Sequence, residues 1–181
     1  NDDIISGQTA LGATPADTDE FLVSDAGTIK RVDYSYIKGE TNTPYWRATR
    51  SSGQSFSSST NTTVLFNAAG IDSASGFDTS TGKYTIPSGQ GGKYFLLTSL
   101  RLNNSGVNNE VAVYFFVNSS EKSFSNKTVG GGYPTVIHSD ILSLNAGDTV
   151  FVKIYTGISS PALDGGGSAI TTSFEGFKIS T

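Results

Sequence analysis

Apolar and polar residues alternate with a period of two along most of the chain, and a helical period never persists beyond one turn. Over residues 93–102 one parity carries Tyr94, Leu96, Leu100 and Leu102, while the other carries Phe95 and Leu97 before Ser99 and Arg101. Over 111–117, Val111, Val113, Phe115 and Val117 oppose Ala112, Tyr114 and Phe116. The same kind of patterning, bounded by Ser, Gly and Asn clusters, predicts strands near 45–50, 62–67, 83–86, 93–102, 110–118, 134–144, 148–156 and 170–180. Many short strands at this spacing indicate an all-β sandwich or jelly roll.

Several of these strands are apolar on both faces. In a monomeric antiparallel sandwich one face of each strand meets water and should be polar. Two apolar faces therefore call for a second buried surface, and a subunit interface supplies it economically, with a covering loop as the alternative. Phe95, Leu97, Tyr114 and Phe116 are the residues assigned to that interface, and Phe174 joins them because it lies on the parity opposite Phe177 and Ile179. A bulge at Gly176 would reverse that last phase.

Residues 1–40 read differently. Glu20–Ser24 and Thr28–Val32 form a hairpin pattern around Asp25-Ala26-Gly27, with Gly27 available for the positive φ of a three-residue turn. Asp33 is placed to cap a helical turn over residues 34–38, closed by Gly39. A hairpin of this size is marginal alone, so the segment needs another surface. The expected organisation is an N-terminal attachment arm (1–40), a linker (41–44) ending at Pro44, and a head (45–181).

Composition narrows the classes of function. The chain has 181 residues, which suits one domain with a short appendage, and its net charge is -4. That balance lacks the basic footprint of a nucleic-acid binder. The absence of cysteine excludes disulfides, thiolate metal sites and a cysteine nucleophile. The longest apolar runs, such as 111–117, fall far short of the roughly 20 residues that cross a bilayer as a helix, so no membrane insertion is expected. The acidic Asn1-Asp2-Asp3 start is unlike a leader, and the lack of any Met is the mark expected of a fragment of a longer polypeptide.

Phe66, Asp72, Phe77, Tyr84 and Gly92-Lys93-Tyr94 are spaced in a way that resembles the C1q domain. The stretch from Leu142 through Gly147-Asp148 to Val152 resembles that family's strand-turn-strand, and Phe174-Glu175-Gly176-Phe177 resembles its terminal strand. Two departures stand out: a gap between Tyr84 and Gly92 that is two residues longer, holding Ser88–Gly91, and Leu96 and Thr98 where aromatics are the rule. The resemblance covers residues 45–181 and implies a ten-stranded C1q/tumour-necrosis-factor jelly roll assembled as a homotrimer, with axial packing thinned at Leu96 and Thr98. It also implies a place for Trp46 at the trimer base, as interface or core. The runs Ile5–Ala10 and Ala16–Asp25 resemble short segments that recur in tail-fibre and other virion proteins of marine bacteriophages.

Residues with catalytic potential do not assemble into a motif. His138 is the one histidine, and Ser139, its neighbour in a strand, points to the opposite face. One histidine per chain becomes three around a trimer axis, a metal or anion site in principle, against the alternative of a single packed or solvated side chain. Asp17-Thr18-Asp19-Glu20 lacks the spacing of a calcium loop, and no carboxylate pair stands out among Asp72, Asp78, Asp140, Asp148 and Asp164. No enzyme activity, metal or cofactor is expected. Loops 103–109, 130–133 and 159–167 carry the candidate receptor-binding residues Asn104, Asn108, Tyr133 and Asp164, with Tyr133 as an aromatic platform. The expected role is a non-enzymatic virion protein, a tail-fibre tip that contacts a host surface glycan or protein and joins other virion proteins through residues 1–40. The alternatives are a trimer that decorates or cements a capsid and, from another class, a secreted C1q/TNF-like ligand or lectin, in which Asn61, Asn103, Asn118 and Asn126 would be potential glycan sites.

Overall fold

Ala26 and Gly27 both take positive φ, 49° and 82°, which makes the N-terminal hairpin a two-residue turn of the kind that matches strand twist. Asp25 stays in the strand opposite Thr28, so the expected three-residue turn is one residue too long. This hairpin, β1 (Glu20–Asp25) and β2 (Thr28–Asp33), is followed by a short 3-10 turn, Tyr34–Tyr36. Asp33 precedes the turn but makes no side-chain cap, and the Ile37 N–H bonds to the Tyr34 carbonyl instead. The computed structural model describes residues 9–39, 42–103, 109–159, 161–165 and 171–180 and divides into two units, Asn1–Thr41 and Asn42–Thr181.

The second unit is built from β3 (Tyr45–Thr49), β4 (Gln54–Ser55), β5 (Thr62–Thr63), β6 (Ala68–Asp72), β7 (Phe77–Asp78), β8 (Lys83–Thr85), β9 (Gly92–Asn103), β10 (Asn109–Val117), β11 (Ser120–Val129), β12 (Thr135–Leu144), β13 (Thr149–Thr156), β14 (Ala162–Leu163) and β15 (Ser173–Ser180). One sheet runs β11-β10-β13-β8-β7. The other runs β12-β9-β15-β3-β6, and all pairings are antiparallel. The short strands β4, β5 and β14 add to these ten, giving the expected all-β jelly roll.

Each sheet turns one parity inward. Tyr94, Leu96, Leu100 and Leu102 meet Val111, Val113, Phe115, Val150, Val152 and Ile154 in a single buried cluster. Trp46 stacks on Tyr84 at 3.7 Å between ring centroids, and Phe174 lies 5.6–6.3 Å from the rings of Trp46, Phe66, Phe77 and Phe115. Gly176 is required here, because a Cβ at that position would come within 2.3 Å of the Trp46 indole. The register through Gly176 is continuous, and the irregularity in β15 falls between Lys178 and Ser180.

This packing corrects three expectations. Phe174, assigned to a subunit interface, is 0% exposed inside one chain, and Trp46, placed at the trimer base as interface or core, is 2% exposed and belongs to the core. Their alternation was read correctly, but the outward set on β15 is Phe177 and Ile179. Leu96 and Thr98 also face inward, so their departure from the aromatic rule alters the sandwich core and not an axial contact. The motif residues themselves are structural: Phe66 and Tyr84 are buried, and the Asp72 carboxylate accepts N–H bonds from Ala74, Gly76 and Phe77 at 3.3, 3.1 and 2.8 Å.

Candidate functional site: two outward faces and an apex cluster

The outward parity of the β12-β9-β15-β3 sheet aligns four apolar side chains in one row. Ile141 pairs with Phe95, Phe95 with Phe177, and Phe177 with Tyr45, so the row crosses four strands. Ile141 is 56% exposed, Tyr45 45% and Phe177 39%, and the Phe95 and Phe177 rings lie 5.5 Å apart. Leu97 stands in the next row, between Ser139 and Glu175, where Glu175 and Arg47 form an ion pair at 3.1 Å. The expected Phe95 and Leu97 therefore sit on this face. Ile137, Ile141 and Phe177 complete it, and the parity of 134–144 carried the signal for the first two.

Tyr114 and Phe116 sit elsewhere, on the outward face of the other sheet. Phe116 packs on Phe151 at 5.6 Å, and Tyr114 lies 5.4 Å from Phe124. Lys153 stands 4.5 Å over the Phe116 ring and Lys83 4.8 Å over Phe151, so cations of the same chain already cover these rings. Phe116 is only 9% exposed and Phe151 4%. The outward residues read from sequence thus divide between opposite sides of the sandwich, Phe95 and Leu97 on one and Tyr114 and Phe116 on the other.

At the end of the head away from Pro44, the structure joins two of the candidate recognition residues through a third. Strand register sets the direction: Tyr45 pairs with Phe177 near the tether, while Thr49, Ser173, Ser99 and Arg101 follow toward the far end. The Arg101 guanidinium lies 4.8 Å over the Tyr133 ring and 3.3 Å from the Asp164 carboxylate. The Asp164 N–H donates to the Arg101 carbonyl at 2.7 Å, and Thr172 Oγ1 donates to the Asp164 carbonyl at 2.9 Å. Tyr133 is 55% exposed, so one ring face is held by the cation and the remainder meets solvent. Arg101 was the missing member, and its signal was a cation on the outward parity near the end of a long apolar strand that carries another, Lys93, at its start. Asn104 and Asn108 lie outside the described residues.

His138 is placed in the interior, 6% exposed, on β12. Ser125 Oγ is 2.7 Å from Nδ1 and Ser123 Oγ 3.0 Å from Nε2, with the Phe115 ring 4.5 Å away. Burial lowers its pKa, partly opposed by Asp140. A buried ring with both nitrogens engaged is a packed histidine, and no group of three His, Cys, Asp or Glu able to hold a metal occurs among the described residues. The carboxylates serve turns: Asp78 is held at about 2 by bonds from Ser80 and Thr81, and Asp148 is lowered by the Asn145 N–H and Asn118. A cavity of about 300 Å³ opens beside Thr43, Pro44, Ser73, Pro87 and Gln90. Gln90 is tied down by the Tyr94 hydroxyl, whose pKa burial pushes up to about 12, and by Lys178 Nζ at 3.4 Å.

Two stacked antiparallel sheets of this order define the jelly-roll class shared by C1q and tumour-necrosis-factor domains. The C1q domain model matches residues 46–179, and the chain belongs to the C1q domain family. Among solved structures it is similar to the globular domain of zebrafish complement 1qA protein, at 17% identity and a TM-score of 0.58, covering 75% of this chain and 97% of that one. It is also similar to murine APRIL, at 14% identity and a TM-score of 0.53, covering 75% and 98%. No curated protein matches the chain. Domains of this type typically form homotrimers and are generally non-enzymatic ligand or structural domains.

Proposed function

We propose that the chain is a non-enzymatic recognition head, assembled as a homotrimer through the Ile141–Phe95–Phe177–Tyr45 face, and that it serves as a tail-fibre tip on a virion. One observation carries this reading: the head is tethered at one end and presents the Arg101–Tyr133–Asp164 cluster at the other. An aromatic face beside a carboxylate and a guanidinium fits a sugar, which stacks on the ring and exchanges hydrogen bonds with the charged groups. A closed threefold ring uses two different patches of each subunit. The second here is Phe124, 54% exposed beside Tyr114. The N-terminal unit lies outside the C1q match, and the resemblance of its sequence to tail-fibre segments is what favours attachment to other virion proteins over a free ligand.

Capsid decoration uses the same trimer and arm but needs no apex ligand. A secreted C1q/TNF-like ligand rests on family membership alone. Tyr133→Ala should reduce attachment to host cells, or to their isolated surface glycans, while leaving thermal unfolding unchanged. Unaltered attachment by that variant and by Asp164→Ala would remove the apex from recognition and favour decoration. Labelling the chain in images of intact particles separates tail, capsid and no virion at all.

A further inference from the structure

Among the described residues of the N-terminal unit none is buried, yet the conformation is specified throughout the hairpin. Six register pairs join β1 to β2, and Tyr34 and Ser35 donate N–H bonds back to the Asp19 and Asp17 carbonyls. All of its described cations are paired: Lys30 with Asp25, Arg31 with Glu20, Lys38 with Asp17. A lone two-stranded hairpin is marginal in water, so local order without a core calls for cover from outside.

The two hairpin faces differ in what they lack. On one, Phe21 lies 6.0 Å from Tyr34 of the same unit. The other carries Leu22, 74% exposed, and Ile29, 66% exposed. Leu22 pairs with Arg31 and Ile29 with Ser24, which puts both apolar residues on one parity, bordered by the Glu20–Arg31 ion pair. Asp33 shares that parity, so the rim carries both signs of charge with a net of one negative per chain and selects no strongly charged partner.

We infer that the Leu22–Ile29 face is closed by the same face on neighbouring copies of the chain, so that the arm is a second self-associating module. The inference rests on the trimeric reading of the head. Gly39 and Tyr45 are six residues apart in sequence, a reach of at most about 20 Å. Arms tethered that closely to one trimeric head meet at an effective concentration on the order of millimolar, enough for a small apolar contact to close. The Phe21–Tyr34 face is left outward, free to attach the assembly to a carrier.

The chain has no cysteine, so Ile29→Cys places one thiol per subunit at the inferred contact. In the full chain, oxidation or a short bismaleimide should give a linked dimer plus one unlinked chain per trimer on a non-reducing gel, independent of dilution. Thr28→Cys, on the opposite parity, should give little product. The β1 and β2 amides should exchange slowly in the full chain, and Leu22→Asp should leave the trimer intact in sedimentation while abolishing that protection. A trimer that links at neither reagent, links equally at both positions, or keeps its exchange pattern after Leu22→Asp overturns the self-associating arm and leaves the trimeric head standing. A monomer in sedimentation overturns the trimeric head first and the inference with it. Protection that arises only after other virion proteins are added assigns the face to a different partner and also overturns it.

Discussion

The two outward faces of the sandwich are both rich in aromatic residues, yet one is bare across its centre while the other is covered there and leaves only Phe124, on its edge strand, largely exposed. On the β10/β13 face Lys153 and Lys83 lie over Phe116 and Phe151 and shield them within one chain. On the β9/β12/β15/β3 face no cation stands over the row of Ile141, Phe95, Phe177 and Tyr45 among the described residues; Arg47 and Glu175 on one side of it are spent on each other, and Lys93 flanks it on the other. Apolar content along a strand therefore does not by itself mark an interface. What the neighbouring strand places over it decides, because a lysine stem is itself an apolar lid.

The strongest test of this contrast separates both faces from the core between them. Phe174→Ala should cost about 3–5 kcal/mol of unfolding free energy, because Phe174 is fully buried among four aromatic rings. Denaturant unfolding at two protein concentrations checks it. A loss that vanishes at high concentration would return Phe174 to an interface.

Next comes the bare face. Phe95→Glu with Phe177→Glu should convert a trimer to folded monomer at micromolar concentration, since like charges would oppose burial of the row. Sedimentation equilibrium reads the mass and circular dichroism the fold. A trimer that persists places the interface elsewhere.

A smaller effect is expected at the edge joining the two sheets. Burial depresses the His138 pKa below 6.5, so the unfolded chain takes up the proton more readily than the folded one. The His138 contribution to stability is complete above that value, falls as pH drops below it, and levels off under the folded pKa. Urea midpoints between pH 7.5 and 5 should show this loss, and His138→Gln should remove that part of it. Identical pH slopes for both chains would mean that His138 is not buried neutral.

The smallest effect belongs to the covered face. Lys153→Ala should leave the oligomeric state unchanged and cost about 1 kcal/mol through the lost contact with Phe116. Dissociation of the assembly by this variant would erase the distinction between the faces.

Alternation alone determined the long strands β9, β10, β12 and β13 and the inward parity of β9, β10 and β13, because a period of two is imposed by the strand backbone whatever the partner. It likewise fixed the hairpin, where Gly27 marks the turn. Strand β11 was illegible. Ser120–Val129 is polar apart from Phe124 and Val129, since its inward positions Ser123 and Ser125 face a histidine and not a hydrocarbon core. Which outward aromatics are bare was equally hidden, because Lys153 and Phe116 are 37 positions apart and only the β10–β13 register brings them together. The apex cluster follows the same rule: Tyr133 and Asp164 were visible as polar loop residues, but Arg101, which binds one to the other, is delivered by the end of a strand from a distant part of the chain. Local pattern sets the direction of each side chain, while contacts across long sequence separations are set by strand pairing, and the pairing follows from burying all the inward faces at once.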